Sequence, residues 1–344
     1  MAANVGPQKI DRKRIGAFLT NNAIYIILLA LLVAIVAIEP DFISIINFRN
    51  ILSQASTRVI IALGIAGILI TGGTDLSAGR LVGLTAVVSA SMLQATDYAY
   101  RMYPSLPKLP IVLPILVCAA IGALFGLLNG TAVSFFKVPP FITTLGMMVI
   151  IYGITSIYFD RPPYGAQPIG GLDKDFMDFA QGYIFKGDFA IPYLVIYAII
   201  VSGVIWVIWN KTRLGKNMYA VGGNPEAAVV SGVNVTKTLI VIYALAGALY
   251  AFAGTLEAAR IGSATNNTGN MYELDAIAAA VVGGVSTSGG IGTVPGVVTG
   301  VLIFQVINYG LNFIGVNPYI QYIVKGLIIV TAVAIDIRKY IRKK

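Results

Sequence analysis

The sequence predicts an all-α polytopic membrane protein of about ten transmembrane helices, some of them short or broken, and three observations carry that prediction. Of 344 residues, 57% are hydrophobic and 11% charged, and the mean hydropathy is +0.82. No soluble core would absorb so many apolar runs. The net charge of +9 would suggest nucleic acid in a soluble protein. Here the Lys and Arg residues gather at the two termini and in one central loop, a topology signal rather than a binding one. Finally, the chain has no histidine and a single cysteine, Cys118, in the middle of an apolar run. That removes the commonest catalytic base, any disulfide framework and any Cys-based metal site.

Taken in order, residues 1–21 form a basic tail, Lys9 to Arg14 carrying most of its charge. The apolar run Ala23 to Ile38 lacks a small-residue cleavage site and leads directly into Glu39-Pro40-Asp41, so it reads as an uncleaved first span with the N-terminus inside. Further spans are expected at Ile51 to Ile70, Leu81 to Leu93, Ile111 to Phe135, Phe141 to Phe159, Ile191 to Trp209, Leu239 to Ala259, Leu274 to Val285, Val294 to Leu311 and Tyr319 to Ile335. Residues 22–336 are thus one transmembrane domain. Ten crossings return the chain to the cytoplasm, in agreement with the basic tail at 337–344, where Arg338, Lys339, Arg342, Lys343 and Lys344 lie. The same rule puts Lys137 inside. The 160–190 loop falls outside, with five acids against three bases.

The 210–237 loop is the most basic internal stretch and the longest polar interruption between strongly apolar spans. Lys211, Arg213 and Lys216 meet no acid until Glu226, which places the loop in the cytosol. Within it a short helix is well marked. Asn224 can cap, Pro225 suits the first helical position, Glu226 favours the positive end of the dipole, and Gly232 can take the left-handed C′ conformation. On these residues alone the helix is either a capped connector or an exposed docking element.

Two of the spans, Leu81 to Leu93 and Leu274 to Val285, are shorter than the roughly 20 residues that a straight crossing needs. Each adjoins a Gly-rich turn: TGGTDLSAG, with Gly72, Gly73, Asp75 and Gly79, and GGVSTSGGIG, with Gly283, Gly284, Gly289 and Gly290. Broken pairs of this kind point to a transport pathway, because non-helical backbone at membrane depth is tolerated only where protein or a watery cavity satisfies it. Close helix packing through small residues explains the glycines equally well. The turns look faintly alike, which leaves an internal repeat open.

Charged groups inside the spans are few, and a paired or capping role is the first expectation for each. Asp75 lies beside Arg80, Glu257 and Arg260 are one helix face apart, and Glu273 and Asp275 start a span. There is no run of buried acids for a proton relay. Uncharged polar residues are more suggestive. Gln305, Asn308 and Asn312 fall on one face of an apolar helix, Thr144, Tyr152 and Thr155 on another, and Asn129 ends its span. Such groups suit either a neutral polyol passing through or hydrogen-bonded packing between helices.

Glu226-Ala227-Ala228 followed by Gly232 resembles the EAA-x-x-x-G motif of ABC-importer permeases. TRLGKNMYAVGGNPEAAVVSGVNV (Thr212 to Val235), TGGTDLSAGR (Thr71 to Arg80) and LEAARIGSATNNTGNMYELDAIAAAVVGGVS (Leu256 to Ser286) are similar to the ribose/galactose/xylose permease family, above all its galactose/methyl-galactoside branch. The similarity runs from about Asn22 to the C-terminus. It implies a bacterial inner-membrane subunit that lines the path of a monosaccharide and pairs with a second copy. It also implies an ATPase subunit docking below on the segment holding Arg213, Gly215, Asn224, Pro225, Glu226, Ala227, Ala228 and Gly232, and a periplasmic or lipid-anchored sugar-binding protein above. ATP and Mg would act in the partner, since Leu214-Gly215-Lys216-Asn217 lacks the upstream Gly and the Ser/Thr of a P-loop. No nucleic acid and no metal are expected. An ion-coupled secondary sugar transporter is the alternative, disfavoured by the lack of coupling carboxylates. An intramembrane enzyme lacks an acid/base pair.

Overall fold

Helix formation follows the apolar runs, and each of the ten expected segments contains a helix. In order these are α1 (Ala23–Ile38), α2 (Ile45–Ile70), α3 (Ala78–Met92), α4 (Val112–Ser134), α5 (Pro140–Phe159), α7 (Tyr193–Lys211), α10 (Val235–Ile261), α11 (Tyr272–Val282), α12 (Val294–Phe313) and α13 (Pro318–Ile341). The computed structural model describes residues 23–341 except 162–164, 186 and 188–189. The basic tail 1–21, the side chains of Arg338 and Lys339, and residues 342–344 lie outside the described set.

Helices begin earlier than their apolar cores where a polar cap is at hand. Ser44 accepts from Asn47 N at 3.2 Å and starts α2 at Ile45 rather than Ile51. Asn234 accepts from Lys237 N at 2.8 Å and starts α10 at Val235 rather than Leu239. The extra turns bring in the polar residues Asn47, Arg49 and Asn50 of α2 and Thr236, Lys237 and Thr238 of α10, which interrupt the apolar pattern.

Six described helices (α2, α4, α5, α7, α10, α12) are long and apolar enough to cross a membrane. The two expected short spans are indeed short. At 1.5 Å per residue, the 15 residues of α3 and the 11 of α11 reach about 22 and 16 Å, against a hydrocarbon thickness of ~30 Å.

The core is built around α2 and α10. In the most apolar part of α2, 78% of residues are buried, whereas in α5 only 17% are, so α5 presents its aliphatic side chains outward. Tyr243 and Tyr250 of α10 are completely enclosed. Helix α10 crosses α4 at very close range: a Cβ on Gly122 or Gly126 would overlap the Gly247 or Tyr243 carbonyl oxygen, so glycine alone allows this approach.

The 160–190 loop is not featureless. It holds α6 (Lys174–Gln181) and a strand pair, β1 (Tyr183–Ile184) antiparallel to β2 (Ile191–Pro192). Bridges from Gln94 to Leu172 and from Ile169 to Ala264 tie it to one end of the bundle. There Lys108 reaches Asp173 at 3.1 Å and Asp175 at 2.6 Å. The hydrogen bond from Lys108 holds the Asp175 carboxyl below the usual carboxylate range, and the bond to Asp175 raises the Lys108 pKa. A lowered acid stabilises the fold above its unfolded value, ~3.9, and loses that contribution as pH falls through the folded one. A raised amine stabilises it below ~10.4 and loses that contribution as pH rises further. The protection of the α6 amides, the slowing of their exchange relative to the intrinsic rate at the same pH, is therefore expected to be highest between about pH 5 and 9 and to fall on either side. The effect is small because the groups are exposed, and Lys108→Ala should flatten the profile.

Candidate functional site: a membrane-depth junction and its coupling segment

The first Gly-rich turn follows the end of α2. Gly72 takes φ +79°, and the Gly72 and Gly73 N–H groups return to Leu69 O at 2.8 Å and Ile68 O at 3.1 Å. Asp75, 2% exposed, accepts from Ser77 N at 2.8 Å and Ser77 Oγ at 2.6 Å. The pairing of Asp75 with Arg80 expected from sequence does not form: the turn satisfies Asp75 locally and α3 carries Arg80 the other way. Helices α4, α5 and α10 brace the turn. Asn129 Nδ2 donates to Ser77 Oγ at 3.0 Å, Leu76 N donates to Thr144 Oγ1 at 3.1 Å, and Tyr243 OH donates to Thr74 O at 3.3 Å. Asn129 and Thr144 thus hold the turn. Thr155 is buried and bonds back to Ile151 O, whereas Tyr152 is 41% exposed and does not share the buried face of the two threonines. An offset of eight residues turns it about 80° away from Thr144.

The second Gly-rich turn leaves α11. Gly284, Gly289 and Gly290 take φ +90°, +88° and +75°, conformations open mainly to glycine. Gly283 packs on Gly296 so closely that a Cβ would overlap its carbonyl oxygen. The two turns meet, Gly290 N donating to Ile70 O at 2.8 Å. Into this meeting point comes the end of α8 (Arg213–Gly223), a helix within the stretch expected as loop, whose Gly215, Gly222 and Gly223 weaken its local helix signal. Thr212 caps it by accepting from Gly215 N at 3.3 Å, and Gly215 packs against the Trp209 and Ile208 carbonyls. Gly222 lies against Ile70 O and Gly290 N, with no room for a side chain, and Tyr219 OH donates to Gly292 O at 2.8 Å.

From this anchor projects α9 (Pro225–Val230), built as its sequence predicts. Asn224 Oδ1 accepts from Ala227 N at 2.9 Å, Pro225 opens the helix, and Gly232 takes φ +81° beyond its end. Ala228 is buried, while Glu226 is exposed and Val229 and Val230 are 60% and 90% exposed. Two adjacent uncovered valines on a well-capped helix suit a partner's cleft. Arg213 lies one helix away from Glu226 on the same segment.

The N-termini of the short helices α3 and α11 come together, Gly79 lying against Glu273 and the Gly269 carbonyl. Between α10 and α11 the chain runs non-helically from Gly262 to Met271, crossing so close to Gly79 and Gly83 that neither could carry a side chain. Here Arg80 Nη2 donates to Asn270 Oδ1 at 2.7 Å and Nη1 to Asn266 O at 3.5 Å, with its guanidinium 4.3 Å from the centroid of the Tyr152 ring. Asn266 Nδ2 donates to Ser156 Oγ at 3.3 Å. Glu273, 6% exposed, lies behind Gly79 with Oε2 unpartnered. Asp275 forms an ion pair with Lys325 of α13 at 3.0 Å rather than capping its own helix. Sequence reading passed over Arg80, Asn266 and Asn270 as site residues; the polar run SATNNTGN between two apolar spans was the available signal.

Glu257 anchors α11 from the other side. It accepts from Arg260 at 2.8 and 3.1 Å, from Tyr272 OH at 2.9 Å and from Thr57 Oγ1 at 3.0 Å, while Arg58 lies over the Tyr272 ring. The pairing with Arg260 is the one expected from the i, i+3 spacing.

The Gln305, Asn308 and Asn312 face is occupied by helix contacts. Gln305 Nε2 donates to Gln54 Oε1 at 2.9 Å, Asn312 Nδ2 to Asn308 O at 2.9 Å, and Gln321 Nε2 to Asn312 Oδ1 at 3.0 Å. The cavity beside Gln305 and Asn308 is about 10 Å³, room for one water at most. Gln305→Leu and Asn312→Leu are therefore expected to lower the melting temperature of the purified protein by a few degrees, at roughly 1 kcal/mol per lost interhelical bond, and to spare uptake per folded complex. Unchanged melting with lost uptake would instead put this face on the pathway.

Short helices joined by Gly-rich turns, set inside longer apolar helices and linked to an exposed capped helix, define an integral-membrane permease. The chain belongs to the family described as branched-chain amino acid transport system / permease component, whose pattern matches residues 47–333. It is 58% identical to the galactose/methyl galactoside import permease protein MglC of Escherichia coli K12, over 97% of this chain and 99% of that one. It is 57% identical to MglC of Haemophilus influenzae, again over 97% and 99%. The ribose import permease protein RbsC of Escherichia coli K12 is 36% identical over 94% of this chain and 95% of its own. No solved structure matches. The protein is a multi-pass membrane transport component rather than a catalyst. Among the described residues no group of His, Cys, Asp or Glu is placed to hold a metal ion.

Proposed function

We propose that this chain is the membrane subunit of an ATP-driven importer of galactose or methyl galactosides. The observation that carries the reading is the 58% identity, over nearly both full lengths, to a protein named as the galactose/methyl galactoside import permease. The geometry supports it independently. The α8–α9 segment has the two properties a mechanical coupler needs: an exposed face for a partner and a contact without slack to membrane-depth elements. In this reading an ABC ATPase subunit, carrying ATP and Mg, docks on α9 and the residues around it. A second copy of the chain completes the pathway. A periplasmic or lipid-anchored binding protein delivers sugar to the end where the 160–190 loop lies. The subunit sits in a bacterial inner membrane with both basic tails and the 210–237 segment in the cytosol.

The test is reconstitution in proteoliposomes with the ATPase and binding protein and no ion gradient. ATP-dependent galactose uptake is expected. Uptake that follows a sodium or proton gradient without ATP would favour the ion-coupled alternative. Within the same assay Glu226→Lys is expected to lower co-purification of the ATPase, because it reverses a charge at the N-terminal, positive end of α9. Wild-type association together with normal uptake would remove α9 from the coupling interface.

A further inference from the structure

We propose that Arg80, Tyr152, Asn266 and Asn270 form a contact site for the transported monosaccharide, at the point where the two short helices begin. The inference rests on the importer reading above and names the part of the pathway that touches the sugar.

The starting point is Arg80. It is the third residue of a short apolar helix packed among the longer ones, is only half-buried, and among the described residues makes no ion pair. A cation so placed does not face hydrocarbon, where it would cost several kcal/mol; it faces protein or a watery cavity. Its two recorded hydrogen bonds go to an amide oxygen and a backbone carbonyl, so of its five N–H donors some remain for a ligand. The non-helical backbone of residues 265–271, which packs on Gly79 and Gly83 among the helices, leads to the same conclusion, because irregular chain between apolar helices persists only where it lines a cavity or is sealed by protein.

The chemistry of the lining fits a neutral polyol. Tyr152 is 41% exposed beside Arg80 and offers ring surface for the apolar C–H face of a pyranose. Asn266 and Asn270 provide amides that both donate and accept, as sugar hydroxyls do. The N-termini of α3 and α11 add partial positive charge where hydroxyl lone pairs would point. Glu273 Oε2, without a partner, lies behind Gly79 on the far side of the chain from Arg80. Few convergent polar groups beside one aromatic ring also suit a site that must release its ligand.

The experiment uses the reconstituted permease, ATPase and binding protein, with uptake normalised to assembled complex. Tyr152→Leu and Asn270→Ala are each expected to cut galactose uptake roughly tenfold, as losing a charged or aromatic contact should, and to change the ranking of galactose against methyl galactoside and ribose. Tyr152→Phe should restore the ranking. In a Cys118→Ala background, Asn267→Cys should react with a membrane-impermeant thiol reagent, and galactose should slow that reaction. Arg80→Lys is the most informative change but also the one most apt to misfold, so the Tyr152 and Asn270 variants decide. An unchanged ranking with uptake falling only in step with folded yield, or a thiol that galactose does not protect, overturns the proposal. Absence of ATP-driven sugar uptake by the wild-type complex overturns the importer reading itself, before any variant is compared.

Discussion

Gly222→Ala is expected to abolish uptake while the ATPase subunit stays bound. A Cβ at this position would overlap the Ile70 carbonyl oxygen and crowd Gly290 N, the two atoms whose hydrogen bond joins the Gly-rich turns. Neither neighbour can yield easily, since both are backbone. Helix α8 must therefore back out of the junction, at about 1–3 kcal/mol for an overpacked contact. That breaks the path from α9 to the turns while leaving the exposed face of α9 intact. The measurements are co-purification of the ATPase, ATP hydrolysis and uptake in the same proteoliposomes. Bound, hydrolysing ATPase without uptake is the expected result. Tyr219→Phe, which removes one hydrogen bond to Gly292 O and no packing, should give a milder loss in the same direction. Normal coupling in both variants would show that α8 is not the link.

The second large effect is on stability. Glu257→Ala is expected to lower the folded yield, by up to about 3 kcal/mol, because it leaves the half-buried Arg260 without its carboxylate and frees Tyr272 and Thr57. Glu257 joins α2, α10 and the first residue of α11, so the loss should loosen α11 in particular. Glu257→Gln keeps hydrogen-bond acceptance but not the charge and should fall between the two. Thermal unfolding in detergent measures both. A melting temperature for Glu257→Ala within a degree or so of wild type would mean that α11 is held by its glycine contacts with α12 instead.

The helices were legible because length and hydropathy are local properties: ten apolar runs became ten helices, and Asn224-Pro225-Glu226 with Gly232 became a capped helix with the cap, the proline and the left-handed glycine in their predicted places. The i, i+3 spacing of Glu257 and Arg260 gave a real ion pair for the same reason. Amphipathic faces were less reliable. Gln305, Asn308 and Asn312 do share a helix, but whether a polar face meets a cavity or another helix depends on what lies opposite, and Gln54 and Gln321 supply that answer. Asp75 and Arg80 are five residues apart and nevertheless point to different partners, since a turn ends the geometry that would have paired them.

The sequence by itself determined the class of protein, the order of its ten apolar helices, the two short spans, the charged and capped segment between α7 and α10, and the family, but not α6 or α8. All of these depend on periodicity, composition and residues close together in the chain. Only the tertiary structure decided that Ile70, Gly222 and Gly290 meet at one point, that Asn129 and Thr144 brace a turn, and that Arg80 joins Tyr152, Asn266 and Asn270. Those residues are separated by up to 220 positions, Ile70 to Gly290, and a membrane supplies little hydrophobic force to specify which helices adjoin. Their pairing is set by close packing at glycines and by buried hydrogen bonds, whose partners no local pattern names.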